Sequence, residues 1–287
     1  MNSNTAKTWF CAAAVAACAA LSATATAADV VMQAREILNH SQNSVINISA
    51  MSKLDMGGSG MPMNIGGLGE AQETQCAGTV IDASGLTAVS YSAVNPFEKI
   101  SKALKVSMDG MGDAGSAFKS KTELNRIRMH LADGSEVTAR LVLKDKELDL
   151  AFLLPDPKEG EKMPQFTPVK LSSPAAQELD DVVILTRHNK ELGYQPIVTT
   201  AHVSSVIKQP RAMYDLSTAA QPGSPVFLPD GQLLGLCVSF GGDEGGLMSM
   251  GAMQVLVLPA AEIAKLADQA KKAADKKPDE PAKTDKN

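Results

Sequence analysis

A loop near the C-terminal end of the chain has the residue types of a nucleophile site. In "STAAQPGSPVF", residues 217–227, Ser224 follows a glycine, with a polar turn before it and an apolar run after it. A serine hydroxyl becomes a good nucleophile only when a nearby base takes its proton, and a carboxylate then orients that base. Chemistry at this loop therefore requires a histidine and an acidic residue close to it.

The chain offers a candidate acid but no clear base. Asp149 lies in the strand-like apolar segment "LDLAFLL". The histidines are His40, His130, His188 and His202, and only the last two lie in segments that could approach the loop. A lone histidine more often lies on the surface or is satisfied by structural hydrogen bonds, so we expect no catalytic role for either.

Short strands are the elements that must position these residues. From Thr74 onward, apolar segments alternate with hairpin-type turns such as "DASG", "ADGS" and "PDG". A polar, proline-bearing segment, "PDPKEGEKMPQF", divides them into two groups of similar size. Many short strands with no long helix between them predict an all-β protein, a sandwich or a pair of barrels. The strand candidates are "AGTVID", "LTAVSYSAV", "NRIRMHL", "EVTARLVL", "LDLAFLLP", "DVVILTR", "IVTTAHVSSVI", "SPVFLP" and "QLLGLCVSF".

Helices are predicted at both ends of the strand region. "DVVMQAREILNHSQNSVINISA" begins with apolar residues on one helical face and continues into the strand-like "SVINIS". The glycine- and methionine-rich segment 51–70 predicts a mobile loop. "PAAEIAKLADQAKKAADKK" predicts an amphipathic helix, and the charged residues after it predict disorder. The residues expected to pack are Val31, Ala34, Ile37 and Leu38 in the first helix and Ala261, Ile263, Leu266 and Ala267 in the last.

The first 28 residues have the layout of a secretory signal. A short basic start precedes an apolar stretch over residues 9–21 and small residues ending in "ATATAA". The apolar stretch is too short to be a good membrane span. The alternative is a lipoprotein, because "VAAC" resembles a bacterial lipobox that would leave a lipid anchor on Cys18. Both alternatives predict export, to the periplasm, to the medium or to the cell envelope.

Composition narrows the function classes. The net charge of −5, with no basic face outside the tail, argues against a nucleic-acid partner. The absence of a Cys-x-x-Cys or clustered-histidine pattern argues against a zinc site, and we expect no metal and no cofactor. Cys76 and Cys237 can pair in an oxidising compartment or remain separate buried thiols, and the sequence leaves both open.

Methionine clusters suggest a different class of protein. "MGGSGMPM" and "MSMGAM" supply thioethers, which are soft ligands suited to Cu(I). Methionines in loops and cores are usually gap-filling side chains, so Cu(I) binding in the envelope is only the second alternative function.

Four collinear stretches resemble one known family. They are "AGTVIDASGLTAVSYSAV", "RMHLADGSEVTARLVLKDKELDLAFLL", "SSPAAQELDDVVILTRHNKELGYQPIVTTAHVSSVI" and "STAAQPGSPVFLPDGQLLGL". From about Gln33 to Lys272 the chain resembles a trypsin-like serine protease of the HtrA (Deg) type. The resemblance implies an all-β, chymotrypsin-like fold of two six-stranded antiparallel barrels, with a short N-terminal helix and a C-terminal helix.

The resemblance also implies where a catalytic triad would lie. The aspartate falls on Asp149, whereas the histidine falls on Ser92, or on Ala93 if the register slips by one residue. The serine falls on Pro222. The chain is therefore predicted to be a pseudoprotease, and the first alternative is a serine endopeptidase that uses Ser224 as an unconventional nucleophile.

Peptide capture can persist without a triad. "LCVSFGGDEGG" resembles the edge on which these proteases hold substrates as an added strand, which implies peptide contacts at Ser239, Phe240 and Gly241. The alternative is that the glycines only form a flexible loop. The expected partner is a peptide, an unfolded polypeptide or an envelope protein, self-association is left open, and membrane contact is expected only if Cys18 is lipidated.

The predicted organisation has four parts. Residues 1–28 are the signal, and 29–70 contain the first helix, a strand and the loop. Residues 71–268 form the double barrel, with barrels at about 71–156 and 168–258, and 269–287 form a charged, disordered tail.

Overall fold

Two closed antiparallel barrels of six strands each form the body of the protein. The computed structural model describes residues 27–55, 70–109, 121–241 and 253–274. Helices lie before the first barrel and after the second. The predicted chymotrypsin-like fold is confirmed.

The first barrel is built from β1 to β6, and its neighbouring strands follow the order β1-β2-β3-β6-β5-β4. Its strands are β1 (Val45–Asp55), β2 (Gln72–Val80), β3 (Thr87–Ser90), β4 (Lys121–His130), β5 (Glu136–Asp145) and β6 (Leu150–Pro155).

The second barrel repeats this connectivity with the order β10-β11-β12-β9-β8-β7. Its strands are β7 (Asp181–Arg187), β8 (Pro196–Ile207), β9 (Met213–Leu216), β10 (Pro225–Phe227), β11 (Leu233–Phe240) and β12 (Gln254–Pro259).

Alternation along the strands explains how the barrels close around apolar cores. In β1, Ile46, Ile48 and Ala50 are almost fully buried in the core of the first barrel. Successive strand residues point to opposite faces, so Asn47 and Ser49 lie on the outer face.

Terminal helices cover the outside of the barrels. α1 (Ala27–Ser41) contacts β7 and β8, and its Ala34 and Ile37 are buried as expected. The prediction for Val31 was wrong: it is 44% exposed, because it lies outside the contact with the barrel. The last helix, Ala260–Ala274, contacts strands of both barrels.

Two helices lie between β3 and β4, where the sequence analysis expected no long helix. α2 (Tyr91–Val94) is a single turn, and α3 (Pro96–Asp109) follows it directly. Phe97 and Leu104, on one face of α3, are buried against Leu54 of β1. The local signal was a proline at the first helical position followed by apolar residues at helical spacing. We number the C-terminal helix α4.

The boundaries of the parts differ from the predicted ones in two places. β1, placed in the 29–70 segment by the sequence, is a full member of the first barrel because it pairs with both β2 and β4. α4 continues to Ala274, six residues into the predicted tail. Within the described residues, no helix is long and apolar enough to cross a membrane.

Candidate functional site

The helical turn α2 lies directly against the start of β6. Ser90 caps the turn, because its Oγ accepts from the backbone N–H of Ala93 at 3.3 Å. The N–H of Tyr91 donates to the backbone carbonyl of Asp149 at 2.9 Å. Pairing of Ser90 with Leu150 then fixes the carboxylate of Asp149 beside the turn.

Three donors occupy the carboxylate of Asp149, which is only 3% exposed. The N–H of Ser92 donates to Oδ1 at 2.7 Å. The Oγ of Ser90 donates to Oδ2 at 2.5 Å, and the N–H of Ser239 donates to the same oxygen at 2.8 Å. The carboxylate thus joins α2 of the first barrel to β11 of the second.

No imidazole contacts this carboxylate among the described residues. Ser92, at the position that the resemblance assigns to the histidine, presents its backbone N–H, and its Oγ lies 3.4 Å from that of Ser90. A serine hydroxyl has no basicity near neutral pH, so Asp149 has no base to orient.

The histidines lie elsewhere in the fold. His40 and His188 are exposed, on α1 and just after β7. The Nδ1 of His202 lies 2.8 Å from Asp181. His130 is buried on the outer face of the first barrel, where its Nε2 lies 2.9 Å from the Oγ of Ser49.

The loop that precedes β10 is packed tightly against the first barrel. Pro222 is partly buried at the position assigned to the serine. Gly223, at φ +90°, would bring a Cβ within 2.1 Å of the carbonyl oxygen of Ala77, so only glycine fits there. The carbonyl of Gly223 accepts from the Oγ1 of Thr79 at 3.2 Å.

Ser224 does not have the surroundings of a nucleophile. It is fully buried, and its Oγ has no hydrogen-bond partner among the described residues. The hydroxyl therefore reaches neither a base nor a substrate in this arrangement, which argues against the unconventional protease.

One edge of β11 carries the geometry relevant to peptide binding. Cys237 pairs with the loop before β10 along this edge: its N–H donates to Ser224 and its carbonyl accepts from Gly223. Because backbone groups point to alternate edges along a strand, the N–H and carbonyl of Ser239 point to the same edge as those of Cys237. The N–H of Ser239 is held by Asp149, and its carbonyl lies 3.5 Å from the Nζ of Lys99.

Phe240 and Gly241 complete the predicted peptide-binding triplet. Phe240 is partly buried and pairs with Gln254 of β12. Gly241 is exposed at φ +84°, directly after the strand ends. The three residues thus lie in sequence at the C-terminal end of β11.

The two cysteines are free thiols, each buried in a different core. Cys76 packs in the first barrel and Cys237 in the second, an arrangement that fits the separate-thiol alternative. Burial raises the pKa of Cys76 to about 12, and the charge of Asp149 adds to this effect. Burial also raises the pKa of Cys237 to about 12. Neither thiol can supply a thiolate nucleophile near neutral pH.

Two residues of this site, Ser90 and Lys99, were not predicted from the sequence. The hydroxyl of Ser90 takes the place of an imidazole as side-chain donor to the carboxylate. A serine two positions before the assigned histidine carries no signal of its own, and Lys99 belongs to the helix that was not predicted.

Metal chemistry finds no support within the described residues. They contain no group of three or more His, Cys, Asp or Glu side chains that could hold a metal. Of the two methionine clusters, only Met253 is described, and its Sδ lies 3.6 Å from the Nζ of Lys99. The other methionines of "MGGSGMPM" and "MSMGAM" lie outside the described residues.

Two six-stranded barrels with identical connectivity, meeting at a buried aspartate and a tight loop, define a chymotrypsin-like double-barrel protein. The family model of the trypsin-like peptidase domain matches residues 76–236, more than half of the chain. The chain belongs to the trypsin-like peptidase domain family. A comparison with curated proteins gives no match.

Proposed function

We propose that this chain is an exported, HtrA-type pseudoprotease that binds peptides, unfolded polypeptides or a partner protein at the cell envelope without cleaving them. The observation that carries the proposal is the saturated carboxylate of Asp149, bound by Ser90, Ser92 and Ser239 where an active site would hold an imidazole.

The chemistry of Pro222 supports inactivity. Proline has no hydroxyl to attack a carbonyl and no backbone N–H to donate to an oxyanion. Loss of a complete triad lowers kcat by a factor of about 10⁶ in a related mechanism. Ser224 offers no replacement, because it is buried and its Oγ has no hydrogen-bond partner in the part of the chain that the structure describes.

Peptide capture is supported by the last residues of β11, beyond the pairing of Cys237 with the loop before β10. A strand added at this edge would form backbone hydrogen bonds, which need neither a nucleophile nor a base. The carbonyl of Ser239 faces this edge with only a long contact to Lys99, and exposed Gly241 follows it.

Export is supported by the first 28 residues, which have a basic start, an apolar stretch and a small-residue end. A chain delivered this way functions in the periplasm or medium, or at the envelope if Cys18 is lipidated.

The test combines binding with recovery of the ligand. A library of fluorescent ten-residue peptides is incubated with the purified protein, bound peptides are identified by fluorescence anisotropy, and every peptide is then weighed by mass spectrometry. We expect saturable binding and peptides of unchanged mass. Fragments would contradict inactivity, and a library without a single binder would contradict peptide capture.

A further inference from the structure

The geometry points to Lys99 as the residue that selects the occupant of the β11 edge: an extended peptide with a carboxylate side chain beside Ser239. This inference rests on the proposed peptide-binding function and adds the chemical class of the ligand. Lys99 was not among the residues that the sequence or the resemblance assigned to the site.

The position of Lys99 is fixed by the helix that carries it. α3 is anchored by Phe97 and Leu104, which are buried against Leu54 of β1. Lys99 lies in the first turn of this helix and is partly buried. The ammonium of Lys99, on a helix that packs against the first barrel, is thereby held close to the backbone of β11 in the second barrel.

The ammonium of Lys99 has only neutral partners among the described residues. Its Nζ lies 3.5 Å from the carbonyl oxygen of Ser239 and 3.6 Å from the Sδ of Met253. Both are long contacts, and a thioether is a weak acceptor. No described carboxylate forms an ion pair with Lys99, whereas Lys146 forms one with Glu98, the residue before Lys99 on α3.

The neighbouring acidic groups are already engaged. Glu98, next to Lys99 on α3, pairs with Lys146 and accepts from Thr122 at 2.8 Å. Asp149 lies on the buried side of Ser239, with its charge met by three donors. The positive charge of Lys99 is therefore available to pair with a carboxylate of a bound peptide.

The contact with Ser239 couples charge recognition to strand pairing. The carbonyl that Lys99 contacts is the acceptor that would take an N–H of an added strand. A carboxylate on the peptide attracts the ammonium and frees this carbonyl, so the ion pair and the backbone hydrogen bond form together. A neutral peptide must displace Lys99 without offering it a partner.

The experiment compares two peptides that differ in one group. A ten-residue binder from the library is made with Glu or Gln at each position in turn, and affinities are measured by anisotropy. We expect a Glu peptide to bind about fivefold more tightly than its Gln twin at one position, as for a partly exposed ion pair. The preference should weaken with added salt.

Variants on α3 show whether Lys99 makes the selection. Lys99→Met should abolish the difference between the Glu and Gln peptides, and Lys99→Glu should reverse it in favour of a Lys peptide. Lys105→Met is the matched control, because Lys105 is exposed on the same helix, and it should keep the preference.

Equal binding of Glu and Gln peptides by the parent protein overturns the role of Lys99 and leaves peptide capture intact. A preference that survives in Lys99→Met also overturns it. Binding of no peptide by the parent or by any variant refutes peptide capture itself and this inference with it.

Discussion

The carboxylate of Asp149, at the position that the resemblance assigns to a catalytic aspartate, has a structural role that needs no catalysis. It accepts from Ser90 and Ser92 in the first barrel and from the N–H of Ser239 in the second. A buried carboxylate with several donors is costly to remove, because each donor is left without a partner. We infer that Asp149 now holds the two barrels together.

Asp149→Asn tests this role directly. An amide keeps one acceptor and places N–H groups against donors, so the free energy of unfolding should fall by about 1–3 kcal/mol. Asparagine tolerates the positive φ of +54° as well as aspartate does, so backbone strain does not contribute. Urea denaturation measures this change in the free energy of unfolding.

Asp156→Asn is the control for this measurement, because Asp156 is exposed just after β6. It should alter stability by less than about 0.5 kcal/mol. Equal stabilities for Asp149→Asn and the parent would show that the carboxylate has no structural role.

At the scale of elements, α4 connects the two barrels after the last strand. The helix buries its own Ile263, Ala267 and Ala270. At its C-terminal end, the Nζ of Lys271 lies 2.7 Å from Asp82 in the turn between β2 and β3. The hydrogen bond from Lys271 lowers the pKa of Asp82 to about 2, with a further contribution from the N–H of Ser84.

This ion pair predicts a pH-dependent contribution to stability. The folded-state pKa of Asp82 is below its unfolded value, so the contribution is present above about pH 4 and disappears as the pH falls through about 2. The Lys271 side chain is 50% exposed and that of Asp82 is 31% exposed, so the pair contributes at most about 1 kcal/mol after solvent screening.

The measurement compares the parent with Asp82→Asn in urea at pH 6 and at pH 2. The variant should be less stable at pH 6, and the two proteins should converge at pH 2. Asp268→Asn, an exposed change on α4, should show no such convergence. A stability difference of the same size at both pH values would contradict the assignment.

Periodicity and turn chemistry predicted most elements but not the insertion at α3. Alternation in "SVINIS" and the apolar face of the last helix were sufficient for β1 and α4. α3 was missed because the run of strand signals on both sides favoured a connecting loop. The burial of Phe97 and Leu104 against Leu54, a contact between residues far apart in sequence, adds to the local helix signal.

At the scale of the whole molecule, the backbones of the two barrels approach each other so closely at one point that a Cβ would not fit between them. Gly223 of the second barrel approaches the carbonyl of Ala77 in the first. Arg187, almost fully buried, donates to the carbonyls of Val45 and Gln42.

Gly223→Ala should therefore destabilise the assembly of the two barrels. A Cβ at this position would lie 2.1 Å from a backbone oxygen that cannot move freely. Gly231→Ala is the matched control, since Gly231 also has a positive φ, of +82°, but nothing within 4 Å of the added Cβ. Gly223→Ala should cost about 1–3 kcal/mol more than the control. Equal costs in urea denaturation would show that strain at φ explains both.

Sequence could predict the two-barrel fold, because the order of the strand and turn motifs fixes it, whereas the triad positions assigned to Asp149 and Pro222 stay predictions. It could not predict that Ser90 and Ser239 would donate hydrogen bonds to the carboxylate of Asp149, or that Ser224 would be buried. These properties depend on how residues of the two barrels, which are far apart in sequence, approach each other in the fold. No local sequence pattern indicates how close they come.

The central claim is that the trypsin-like site of this protein has no activated nucleophile. The most direct measurement exposes the folded protein to a fluorophosphonate probe and weighs it by intact mass, beside Ser224→Ala. We predict an unchanged mass for both proteins. A stoichiometric adduct on the parent that is absent from Ser224→Ala would contradict the account and establish a relocated catalytic serine.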